Sequence, residues 1–144
     1  MKKLLPIIFL LLSLNVMAQK GNRQQIKALK VAFITEKLNL SEIEAQKFWP
    51  VYNEFELKSA NIRYKEIRAI RKEIKENIDN MSDEKASELL DKLRKSENRL
   101  HELHTGLFEK LSGIISPRKM ILLKVAEDDF KRKMLNELKR RKKG

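Results

Sequence analysis

Residues 41–55 read Ser41-Glu42-Ile43-Glu44-Ala45-Gln46-Lys47-Phe48-Trp49-Pro50-Val51-Tyr52-Asn53-Glu54-Phe55, and they decide the fold. Ser41 stands where a helix N-cap belongs. Glu44 follows at the third helical position, from which a carboxylate reaches back to the N–H of the cap, so the two spell a capping box. Ala45, Phe48, Tyr52 and Phe55 then recur at steps of three and four, the period of one helix face. The face continues through Ser59 and Ile62, slips, and resumes at Ile67, Ile70, Ile74 and Ile78. A helix over 42–78 follows, roughly 50 Å long at about 1.5 Å per residue. Pro50 is its one breaker, since an internal proline removes a hydrogen bond and collides with the carbonyl four residues back.

The same start recurs twice further along. Met81-Ser82-Asp83-Glu84 repeats an apolar-Ser opening and puts acids in the first turn, where the helix dipole favours them. Ile115-Ser116-Pro117 does so again, with proline at the first helical position, where its missing N–H is harmless. Leu40 and Ile115 are the apolar residues before their caps. Behind Ser82 an apolar face runs Ala86, Leu89, Leu93, Leu100, Leu103, Leu107 and Leu111, with Ser96 and Glu97 in the gap. Residues 22–38 (Ile26, Leu29, Phe33) and 117–141 (Leu123, Ala126, Phe130, Met134) supply shorter helices. The expected class is all-α: four helices, with 42–78 and 83–112 forming an elongated antiparallel hairpin whose tip lies at 77–81. No strand pattern competes.

Composition narrows the function. The chain has 144 residues, no Cys, and 32 Lys and Arg against 20 acids, a net charge of +12. That length suits one domain. Without Cys there is no disulfide, thiol nucleophile, thiolate metal site or lipoprotein anchor. Gly21, Gly106, Gly113 and Gly144 never cluster into a phosphate-binding loop. No nucleophile elbow or zinc-protease helix is present, so no enzyme is expected.

Residues 1–18, MKKLLPIIFLLLSLNVMA, read as a secretory leader: two Lys, an apolar run from Leu4 to Leu12, and Val16 and Ala18 as small residues before a cut after Ala18. The run is too short for a comfortable bilayer span. The expectation is therefore a single exported domain over 19–144, in a periplasm, without stable membrane insertion after cleavage. Export also sets nucleic acid aside, although charge alone would favour a basic coiled coil that binds it.

Candidate partner-binding residues follow from charge and aromaticity. The aromatics of 48–55 suit the filling of the wide end of a helical core, and as the alternative reading Trp49, Tyr52 and Phe55 offer a candidate aromatic cleft for a flexible chain. Between residues 58 and 77, Lys58, Arg63, Lys65, Arg68, Arg71, Lys72 and Lys75 alternate with isoleucines, a mixture suited to acidic or partly unfolded protein. The run 139–144, beginning Lys139-Arg140-Arg141-Lys142-Lys143, reads as a frayed, solvated end. His101 and His104, three apart on one helix with Glu97 four residues before His101, are the one ligand set for a divalent transition metal such as zinc, nickel or copper. No fourth ligand accompanies them, and a snorkelling flank of the leucine face suits them equally.

The segments from Leu40 to Pro50 and from Ile115 to Lys119 resemble the two degenerate LTxxQ motifs of the Spy/CpxP superfamily of small helical periplasmic proteins. The likeness is greatest to its branch described as sensors of ECF-type sigma factors, and it covers nearly all of 25–140. Ser41 and Ser116 replace the family's Thr, while Glu44 and Lys119 stand where its Gln falls. The resemblance implies a hairpin that pairs into a curved homodimer. It also implies envelope-stress sensing, or ATP-independent holding of unfolded clients on a basic concave face, with Arg63, Arg68, Arg71 and Lys72 as candidates alongside Trp49, Tyr52 and Phe55, or heavy-metal sensing as an alternative.

Overall fold

The computed structural model describes the backbone of residues 5–144 and the side chains of residues 22–144. The expected leader 1–18 and its cut after Ala18 therefore lie outside the described side chains. The described chain is all-helical, without a strand: α1 (Leu5–Leu38), α2 (Glu42–Asn61), a π-helical turn (Ile62–Ile67), α3 (Arg68–Asn77), a 3₁₀ turn (Ile78–Asn80), α4 (Asp83–Ser112) and α5 (Pro117–Lys143). The backbone stays helical from α2 through the π turn into α3, so these pieces make one rod and the helices number four, as the stripes require. Among the described residues no helix is long and apolar enough to cross a membrane.

All three expected caps form. The Ser41 hydroxyl accepts from the Glu44 N–H at 3.1 Å while Glu44 Oε1 accepts from the Ser41 N–H at 3.0 Å, completing the box. Ser82 and Ser116 accept from the N–H groups of Lys85 and Lys119, each at 3.2 Å. Helix α2 runs on through Pro50, whose ring lies on the exposed side.

The chain divides into two compact units, residues 41–120 and residues 1–40 with 121–144. In residues 41–120, α4 runs antiparallel to the α2–α3 rod. Glu54 pairs with Lys110, Arg63 with His104, Glu66 with Arg99 and Ser96, and Glu73 with Lys85, one number rising as the other falls. Phe48, Tyr52, Phe55, Ile62 and Ile67 are buried on the rod, as are Leu89, Leu107 and Leu111 on α4.

The π turn explains the slip in the apolar stripe. At about 100° per residue, five α-helical steps from Ile62 would leave Ile67 about 140° away from it. A π turn closes on the fifth residue and absorbs the extra one. Ile62 and Ile67 are consequently 7% and 8% exposed, both inside. Beyond them the seam thins: Ile70 and Ile74 are half-buried, and Ile78, expected on the apolar face, is exposed.

In the other unit, Ile34 and Leu38 of α1 and Leu123, Ala126 and Phe130 of α5 are buried, and the Phe33 and Phe130 rings lie 5.7 Å apart. Ile26 and Leu29, expected on the inner stripe, are exposed, because α1 is uncovered all round from Asn22 to Leu29. The helix ends at Asn39, which adopts a left-handed φ of 49°. The Asn39 N–H donates to the Glu36 carbonyl and the Leu40 N–H to that of Thr35, a Schellman closure with asparagine in glycine's usual place.

Candidate functional site

A chain of rings runs along α2. Phe48 stacks on Tyr52 at 5.3 Å, Trp49 meets both edge-on at 4.9 and 5.6 Å, and Tyr52 leads to Phe55 at 6.0 Å. Tyr52 and Phe55 are 1% and 5% exposed. That corrects their expected place on a partner-binding surface: the helical period that puts Phe48 inside puts them inside too. Trp49, half-buried at the edge, is the one member of the trio with a surface to offer.

The histidines part company in the same way. His104 is half-buried, its ring 4.8 Å from Phe55 and its Nε2 3.3 Å from an Arg63 guanidinium nitrogen. Guanidinium only donates, so in this contact Nε2 is the acceptor. His101 and Glu97 are exposed. Among the described residues no three His, Cys, Asp or Glu side chains group into a metal-holding set, and Glu97, His101 and His104 are not brought together as one.

The π turn carries two of the polar crossings of the seam, from Arg63 and Glu66. Arg63 leaves it toward His104. From the same turn Glu66 accepts from the Ser96 hydroxyl at 3.1 Å and from the Arg99 guanidinium, at one wall of a shallow groove that Ile70 and Lys95 also line. Arg63 thus serves as a cross-link in the hairpin as well as lying at its surface.

The remaining basic candidates do gather. Arg68, Arg71 and Lys72 fall within one turn of α3, with Lys75 a turn beyond Arg71, and α3 has no buried residue. Among the described residues Arg68, Arg71 and Lys75 make no ion pair or hydrogen bond; Lys72 lies 3.8 Å from Glu76, an exposed i,i+4 pair worth little in water. Ile70 and Ile74 border these cations, and Tyr64 and Ile78 stand exposed on either side. Trp49 lies apart, about 28 Å back along the rod by helical rise.

One link was invisible in the chain. Lys119 Nζ donates to Glu44 Oε1 at 2.7 Å, and both side chains are about a quarter exposed. Glu44 and Lys119 therefore meet across 75 positions. Hydrogen bonding to Lys119 first, then to the Ser41 N–H, holds the Glu44 carboxyl below its ordinary range against a smaller desolvation effect. The cap residues around them are structural: Ile115 is buried, Leu40 half-buried, and Pro117 opens α5.

Compared with known proteins, the chain matches no family model, no curated protein and no solved structure.

Proposed function

We propose that this chain is an exported, non-enzymatic envelope-stress protein that holds acidic or partly unfolded protein segments on the outer face of α3. One observation carries the reading: Arg68, Arg71 and Lys75 stand exposed and, among the described residues, without ion-pair partners beside half-buried Ile70 and Ile74 on a helix that buries nothing completely. Cations without intramolecular partners supply long-range attraction to acidic chains, and the isoleucines supply apolar contact that demands no particular sequence. The leader-like residues 1–18 support export to a periplasm. The resemblance to the Spy/CpxP superfamily supports a homodimer, and a role as the sensing partner of an ECF-type sigma-factor pathway.

The test is suppression of aggregation of a chemically denatured client, without ATP. The full chain should suppress light scattering near stoichiometric ratio and lose most of that effect when salt shortens the screening length from about 10 Å to about 3 Å. The triple substitution R68Q/R71Q/K75Q should abolish it while helix content stays intact, since none of these side chains is buried. No suppression at a several-fold excess of the wild-type chain would end the holding role. Crosslinking from position 72 in intact cells would then show whether the face touches a signalling protein instead.

A further inference from the structure

The sequence alone presents residues 139–144 as a frayed end, but α5 continues as helix to Lys143. Its last stretch, 131–143, carries eight Lys and Arg against Glu137 alone. At about 100° per residue, Lys131, Leu135, Leu138, Lys139 and Lys142 fall within one arc roughly 100° wide, turned away from the buried stripe of Leu123, Ala126 and Phe130. Leu135 and Leu138 are 48% and 55% exposed on that arc. Lys131, Lys139 and Lys142 make no ion pair or hydrogen bond among the described residues, whereas Arg132 and Arg140 are taken up by Asp129 and Glu137.

We propose that this arc of α5 is a docking surface for an anionic phospholipid bilayer, on which the helix lies in the headgroup plane. A helix that interleaves exposed leucines with lysines on one face meets such a surface with both of its components: the ammonium groups reach phosphates while their methylene stems and the leucines enter the acyl boundary. Duplex nucleic acid would satisfy the cations but has no use for leucines set among them. An acidic protein would need apolar positions of matching register, whereas a bilayer needs none. The contact is peripheral and is independent of the client face on α3.

Co-sedimentation of the full chain with vesicles tests it, using phosphatidylcholine alone and phosphatidylcholine with about one-third phosphatidylglycerol, a moderately anionic surface. Binding should appear on the anionic vesicles only and weaken with salt. The double substitution K139Q/K142Q should lower it about 25-fold, at about fivefold per cation. The double substitution L135Q/L138Q should lower it about tenfold and leave the salt dependence in place. Every variant keeps residues 1–130, so any vesicle affinity of the apolar run 4–12 is common to all and cancels in the comparison. None of the substituted side chains is buried, and circular dichroism checks that the helix content is unchanged. Equal binding of wild type and K139Q/K142Q overturns the proposal. So does full retention of affinity by L135Q/L138Q, which would reduce the surface to a plain polycation. Tighter binding to duplex DNA that is insensitive to the leucines would assign the face to nucleic acid and overturn it as well.

Discussion

Two serines are buried on opposite helices of residues 41–120, and replacing each by alanine should shift stability in opposite directions. Ser59 on α2 is 0% exposed and its hydroxyl has no hydrogen-bond partner among the described residues; Ser96 on α4 is 5% exposed and donates to the Glu66 carboxylate at 3.1 Å. Alanine gains about 0.5 kcal/mol over serine in either helix from intrinsic propensity alone. At Ser59 the substitution also removes a desolvated hydroxyl without compensation, worth about 1 kcal/mol at the low end of such penalties, for a net gain of about 1.5 kcal/mol. At Ser96 it deletes a bond to a charged acceptor, costing about 1.5 kcal/mol because Glu66 keeps some contact with water, for a net loss of about 1 kcal/mol. The two variants should differ by about 2.5 kcal/mol, and propensity cancels in that difference. Urea unfolding followed by far-ultraviolet circular dichroism reads it as midpoints moving to opposite sides of wild type at constant slope. A destabilised Ser59→Ala chain would mean that its hydroxyl has a partner and that the orphan-donor argument is wrong. Two shifts of the same sign and size would mean that the Glu66 bond contributes nothing.

Three further outcomes follow from the geometry. Glu44 has a depressed carboxyl pKa through Lys119 and then Ser41, so its contribution is fully present above the unfolded value of 4.5 and lost as pH falls through the lower folded value; the stability gap between wild type and Glu44→Gln should be flat from neutral pH to about 5 and close below it, and a gap that widened in acid would reverse the sign of the argument. Gly106 lies inside α4 and a Cβ there meets nothing within 4 Å, so Gly106→Ala should raise the urea midpoint by the equivalent of about 0.5–1 kcal/mol. Asn39 holds a left-handed φ of 49°, so Asn39→Ala should cost about 1 kcal/mol in thermal unfolding while Asn39→Gly costs little or gains, and equal losses for the two would deny that backbone conformation is the cause.

What was legible in the chain depended on how far apart the deciding residues lie. The caps at Ser41, Ser82 and Ser116 form because each needs only a hydroxyl and an N–H three positions away. The burial of Phe48, Tyr52 and Phe55 was equally readable from their spacing; assigning Tyr52 and Phe55 a binding role as well asked one helix face to be core and surface together. The Glu44–Lys119 and Arg63–His104 contacts span 75 and 41 positions and have no local signal. Ile26 and Leu29 show the converse, since an amphipathic spacing says which face would be buried and not whether anything covers it.

The step from Ile62 to Ile67 lies between these cases, because the irregularity was plain while its meaning was not. A five-residue step fits a change of face, a gradual supercoil drift, or an inserted residue absorbed in one turn. A change of face would bury only one of the two isoleucines, and drift would spread the offset along the whole rod. Both isoleucines are inside, and the offset is confined to Ile62–Ile67. The inserted residue also accounts for two of the polar crossings, since Arg63 and Glu66 leave this turn for His104, Ser96 and Arg99 on α4. The π turn therefore keeps the isoleucine seam continuous and carries part of the hairpin's polar fastening, and beyond it Arg68, Arg71 and Lys75 of α3 make no ion pair among the described residues.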